Sequence, residues 1–157
     1  MSTPYPRPLA AVFNAANRLV VPLLRSPVHR LASGKLMVVS YTGAKSGRSF
    51  ALPVAYYAFS PDEVWAFGAR TGWMTNFRLP RPASLRLRGR DLRAEGLLVD
   101  DRVEVADLII ELVERGVTSA AQDPFLSLPK GRTPTRDEAG AAADRARIVR
   151  FALDEQL

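Results

Sequence analysis

From Lys35 to Val99 the chain is a succession of short β-rich runs broken by glycine, proline and aspartate turns. No other feature limits the fold as much. "KLMVVSYT" is one continuous apolar run, "FALPVAYYAF" a second, and "VWAFGA" a third after a turn at "SPDE". "ASLRLRGRDLRAEGLLV" reads as a hairpin with Gly89 and Arg90 near its turn. Within it Leu85 and Leu87 alternate with Arg86 and Arg88, so one face is apolar and the other basic. "RIVRFAL" (Arg147 to Leu153) supplies a closing strand. Asp100 or Asp101 caps an amphipathic helix that runs to Gly116, with Glu104 in capping-box position. Ala106, Ile109, Ile110 and Val113 form its buried stripe. The expected class is α+β, mainly β: a small antiparallel barrel of about six strands with flanking helices.

The 157 residues make one domain, with no repeat and no internal linker. Residues 1–34 read as an N-terminal helical segment. Leu9, Val12, Phe13, Ala16, Leu19, Val20 and Leu23 form a stripe that Pro22 kinks, and a second short helix runs from Ser26 to Gly34. The stripe is too short and too interrupted to span a bilayer, so it packs on the domain or touches a membrane surface peripherally. A cytoplasmic location is the default. Residues 117–146, with prolines at 124, 129 and 134, read as a long lid or an irregular region.

Composition removes several chemistries. There is no cysteine and a single histidine, His29, so thiolate and His-rich metal sites are excluded and no metal is expected. GxxxxGK[ST], GxGxxG and GxSxG are all missing, and the acids fall mainly on the long helix and in the C-terminal region. A chain so poor in acid–base catalysts leaves the chemistry to a cofactor, and no catalytic residue is nominated. The net charge of +6, carried by 19 arginines and three lysines, calls for an anionic partner.

"TGAKSGRSFALPV" (Thr42 to Val54) is the place for one. Gly43 and Gly47 let the backbone aim successive N–H groups at one point as an anion nest, and Lys45 and Arg48 add charge. Thr42, Ser46 and Ser49 add hydroxyls. Read locally, the stretch is equally a hairpin loop whose charges face water. "GARTGWMTNF" (Gly68 to Phe77) then places Trp73 and Asn76 on one face of a short helix.

These two stretches, followed by "PASLRLRGRDLRAEG", resemble in order and separation the deazaflavin (F420)-dependent nitroreductase and oxidoreductase family of actinobacteria. That family is a branch of the split β-barrel flavin-binding superfamily, and the resemblance covers roughly residues 28–115. It implies a split β-barrel that binds F420, with Lys45, Ser46 and Gly47 at the phosphate-loop positions beside Gly43 and Arg48. It further implies that Phe50, Ala51, Pro53, Val54 and Ala55 lie along the strand facing the tricyclic ring. Phe67, Gly68, Ala69 and Arg70 match the next ring-side segment, and Trp73 and Asn76 the short helix. The basic "LRLRGR" face would attract the polyglutamate tail. Residues after 116 include Phe125 but no tyrosine, so nitroimidazole reduction is not implied.

The implied activity is hydride transfer from F420H2 to an electron-poor acceptor, a quinone, enone or nitro-compound, by a monomer or homodimer. The alternatives are an FMN-dependent oxidoreductase and a non-catalytic carrier of an apolar ligand such as a fatty acid. Nucleic acid is not the expected partner, since the chain offers neither a reading helix nor an aromatic platform.

Overall fold

The computed structural model describes residues 36–69, 72–123 and 125–157. The expected N-terminal helices and Arg70 lie outside them. Among the described residues, seven strands form one sheet: β1 (Leu36–Thr42), β2 (Ser49–Ala55), β3 (Tyr57–Ser60), β4 (Glu63–Ala69), β5 (Arg81–Leu87), β6 (Arg90–Val99) and β7 (Ala146–Leu153). Every pairing is antiparallel, in the order β2-β1-β5-β6-β7-β4-β3.

β2 and β3 stand at opposite ends of that order, yet only Tyr56 separates them in sequence. The sheet must therefore curl until its two edges nearly meet. The result is a mainly antiparallel half-barrel with two helices, consistent with a split β-barrel. "FALPVAYYAF", expected as one strand, is thus two, which raises the count from about six to seven. Pro53 fits because, among the described residues, β2 pairs only with β1, and an edge strand does not require its missing N–H. At the seam, Tyr56 is buried and its hydroxyl accepts from Arg88 Nε at 3.1 Å.

The two-residue alternation of each strand sorts the side chains into two cores. Met37, Val39, Ala66, Leu85, Leu87, Leu92, Val149 and Phe151 fill the barrel interior. The 3-10 turn Trp73–Phe77 closes it by inserting Met74 and Phe77. Trp65, Phe67 and Ile148 face the other way, under α1 (Arg102–Glu114) and α2 (Arg136–Arg145). Leu87 pairs with Arg90, so the β5–β6 hairpin turns on Arg88 and Gly89, both with positive φ, as a primed two-residue turn requires.

Asp101 caps α1 by accepting from the Glu104 N–H at 2.8 Å. The neighbouring Asp100 instead takes Arg147 Nε at 2.6 Å, neutralising an arginine that is almost wholly buried. The stretch 117–146, expected as a lid or irregular, holds a 3-10 turn (Thr118–Gln122) and the whole of α2. A full capping box between Thr135 and Glu138 starts α2. Its buried stripe consists only of Ala139, Gly140, Ala142 and Ala143, which lets it lie closely against α1. Before α2, Asp123 anchors the chain: its buried carboxylate accepts from Tyr57 OH at 2.7 Å and from the Phe125 N–H at 2.9 Å.

Candidate functional site

The loop between β1 and β2 is tightly self-bonded. The Gly43 N–H donates to the Arg48 carbonyl at 2.8 Å, and the Gly47 N–H to the Gly43 carbonyl at 3.0 Å. Ser46 Oγ accepts from the Arg48 N–H at 3.2 Å. Gly47 has φ of +66°, where a side chain is strained. A Cβ on Gly43 would meet Ser46 Oγ at 2.6 Å and the Phe50 ring at 2.8 Å. Both glycines are therefore required for the loop's shape.

The expected nest is only partly available. Gly43, Ala44, Gly47 and Arg48 spend their amides within the protein, and only those of Lys45 and Ser46 have no partner among the described residues. The loop's reach for an anion rests instead on the exposed side chains of Lys45 and Arg48. Neither has a carboxylate partner among the described residues.

One hydrogen bond joins the two sequence stretches that were read apart. Asn76 Oδ1 accepts from the Ala44 N–H at 2.9 Å, across 32 residues of sequence. Asn76 Nδ2 in turn donates to the Trp73 carbonyl at 2.7 Å, closing the 3-10 turn on itself. Trp73 and Asn76 share a face, as the three-residue period of such a turn dictates. Thr75 Oγ1 braces the start by donating to the Gly72 carbonyl at 2.8 Å.

An aromatic wall backs this junction. Tyr41 and Phe50, directly opposite in the β1–β2 register, stack with ring centroids 5.6 Å apart. Trp73 lies 6.5 Å and Phe77 5.4 Å from Tyr41, and Arg48 sits 5.9 Å above the Phe50 ring. Burial pushes the Tyr41 hydroxyl pKa up, so it stays a neutral donor at ordinary pH. Tyr41 was not singled out in the sequence. The signal was its place opposite Phe50 once the loop is read as a hairpin. Beside this wall lies an open hollow of ≈ 340 Å³, lined by Ser40, Tyr41, Thr42, Ser49, Phe50, Pro82, Ala83 and Ser84.

The remaining candidates divide. Ala51, Pro53, Val54 and Ala55 run along β2, whose far edge has no strand partner among the described residues. Ala69 ends β4, and Gly68 lies against Met74 of the 3-10 turn. Phe67 does not line this region with its side chain, which is buried under the helices with its ring 5.2 Å from that of Tyr57.

The basic face of "LRLRGR" is also less free than its charge suggests. Arg86 Nη1 is 2.6 Å from Asp91, Arg88 bonds Tyr56, and Arg90 reaches Glu155 and the Gln156 carbonyl. Arg86 Nε, buried beside a second hollow of ≈ 380 Å³ that Ser40, Ser84 and Asp91 also line, has no hydrogen-bond partner among the described residues. Among the described residues no cluster of acids or histidine could hold a metal ion, and no helix is long and apolar enough to cross a membrane.

No protein-family model matches the chain, and no curated protein does. Solved structures of similar architecture include an F420 reductase, at 14% identity and TM-score 0.42, covering 87% of this chain and 94% of that one. A FAD-binding protein from Mesorhizobium loti matches at 14% identity and TM-score 0.45, over 82% and 86%. A general stress FMN/FAD-binding protein from Xanthomonas citri matches at 13% identity and TM-score 0.43, over 87% of each chain. At such distances the chemistry of this chain rests on its own residues.

Proposed function

We propose that the protein is an F420H2-dependent reductase acting on an electron-poor organic acceptor such as a quinone, enone or nitro-compound. The observation that carries the reading is the Ala44–Asn76 hydrogen bond. It ties the glycine loop, with its two unneutralised cations, to the Trp73–Phe77 turn, so that both resemblance-bearing stretches form one mouth at the end of β2.

The residues fit the group. Lys45 and Arg48, with the hydroxyls of Ser46 and Ser49, would hold a phosphate at the mouth. The edge of β2 from Phe50 to Ala55, without a strand partner among the described residues, would offer backbone donors and acceptors to the polar rim of a planar ring. Ala69, at the end of β4, and Trp73 would bound that ring's position, and the apolar surface of Tyr41 and Phe50 would exclude water from the mouth. When bound, the reduced deazaflavin would supply the hydride. No acid among these residues is placed to donate the acceptor's final proton, so solvent would provide it. The carrier reading is disfavoured because large side chains, Phe77 and Phe151 among them, occupy the barrel interior.

The test is an anaerobic assay of F420H2 oxidation with menadione and an α,β-unsaturated ketone as acceptors. Acceptor-dependent return of the oxidised deazaflavin's visible absorbance, diminished in Lys45→Ala, supports the reading. A protein that binds FMN stoichiometrically and leaves F420H2 unoxidised refutes it.

A further inference from the structure

Charge is segregated along this chain. No Asp or Glu precedes Asp62, and none lies between Val64 and Arg90. The 3-10 turn feeds directly into Arg78-Leu79-Pro80-Arg81-Pro82. Leu79 is 74% exposed, more than any other large apolar residue among those described. It cannot retract. Phe77, two residues before it, is fully buried, and β5 begins two residues after it at Arg81, with Pro80 and Pro82 stiffening the path.

The surroundings of Leu79 are cationic. Asn76 holds the Ala44 backbone, so the loop bearing Lys45 and Arg48 lies next to the turn that leads to Arg78. None of Lys45, Arg48, Arg78 or Arg81 has an ion-pair partner among the described residues. The nearest acid in strand register is Glu95, opposite Pro82 on the outer face.

We propose that Leu79, with Arg78 and Arg81 flanking it in the chain, is a docking tip for an anionic phospholipid surface. Two cations with no ion-pair partner among the described residues meet the headgroup phosphates, and one exposed leucine enters the acyl boundary. A nucleic acid would use the cations but not the leucine, and an acidic protein would ordinarily bury the leucine in a pocket of its own. Docking this way brings the hollow lined by Pro82 and Ala83 to the headgroup level. This tip is separate from the apolar N-terminal stretch, which lies outside the described residues.

The experiment is co-sedimentation of the full chain with vesicles of phosphatidylcholine alone and of equimolar phosphatidylcholine and phosphatidylglycerol, at low and high salt. Binding to the anionic vesicles only, weakened by salt, is expected. Leu79→Ser should weaken it about tenfold, and Arg78→Ala with Arg81→Ala about thirtyfold at low salt. Val103→Ser, at an exposed site on α1, should leave it unchanged. Equal binding to both vesicle types, or undiminished binding by Leu79→Ser, overturns the proposal. So does binding to duplex DNA with no retention on either vesicle.

Discussion

Lys45 and Arg48 carry charge that no carboxylate of the described chain neutralises, whereas the three arginines of "LRLRGR" are each engaged locally. Anion affinity should follow that difference. Lys45→Ala or Arg48→Ala is expected to raise the Kd for F420 about tenfold, the worth of one charge-assisted hydrogen bond. Arg90→Ala should leave it near the parent value. Calorimetric titration checks both, and melting temperatures should not move, because the loop side chains are exposed. Tyr57 gives a different kind of test. Burial and then its hydrogen bond to Asp123 raise its hydroxyl pKa well above the ordinary value of 10.0. A raised pKa stabilises the fold fully below that ordinary value, and the stabilisation is lost as pH rises beyond it toward the folded pKa. Tyr57→Phe should therefore lower stability by about 1–3 kcal/mol near neutrality and flatten the alkaline decline seen with the parent protein. Chemical denaturation at pH 7 and above 10 would show this. An unchanged alkaline slope would contradict it.

At the scale of elements, the loop and the 3-10 turn behave as one unit through Asn76. Asn76→Ala should cost about 0.5–1.5 kcal/mol in stability. It should also weaken F420 binding without removing any charge, which equilibrium titration against Lys45→Ala would separate by their salt dependence. For α2, the Arg132 guanidinium and the Thr135 backbone hold the Glu138 carboxyl down to about 2, against an ordinary 4.5. A depressed pKa contributes stability above the ordinary value and loses it as pH falls through the folded one. Glu138→Gln should therefore reduce stability at neutral pH and show a shallower decline between pH 4.5 and 2. Circular dichroism across that window is the check.

The sequence carried these elements unevenly. β1 and β4 were legible as continuous apolar runs, and β6, β7 and α1 as apolar patterns bounded by turn or capping residues. α2 was not, since its buried face is alanine and glycine and gives no hydrophobic stripe, although "TRDE" at residues 135–138 held the capping-box signal. The break at Tyr56 was hidden for a related reason. Both flanking runs are apolar and β-prone, and only the edge positions of β2 and β3 demand a division there. Of the site, the glycine loop and the Trp–Asn turn were visible as motifs. Their contact was not, because a hydrogen bond across 32 residues leaves no local pattern. Tyr41 was hidden in the apolar run of β1, and Phe67 looked available because burial under two helices cannot be read from one strand.

At the largest scale, a curled antiparallel sheet with helices on one face leaves β2, next to a cationic loop, as an edge with no further strand partner among the described residues. The central claim is that this edge and loop receive a deazaflavin. Equilibrium titration of the purified full chain with F420 and with FMN, followed by deazaflavin fluorescence and flavin absorbance, tests it most directly. The account predicts saturable F420 binding that weakens in Lys45→Ala and in Asn76→Ala, with FMN failing to displace it at equal concentration. Tight stoichiometric FMN binding with no F420 affinity, or F420 affinity indifferent to both substitutions, would contradict it.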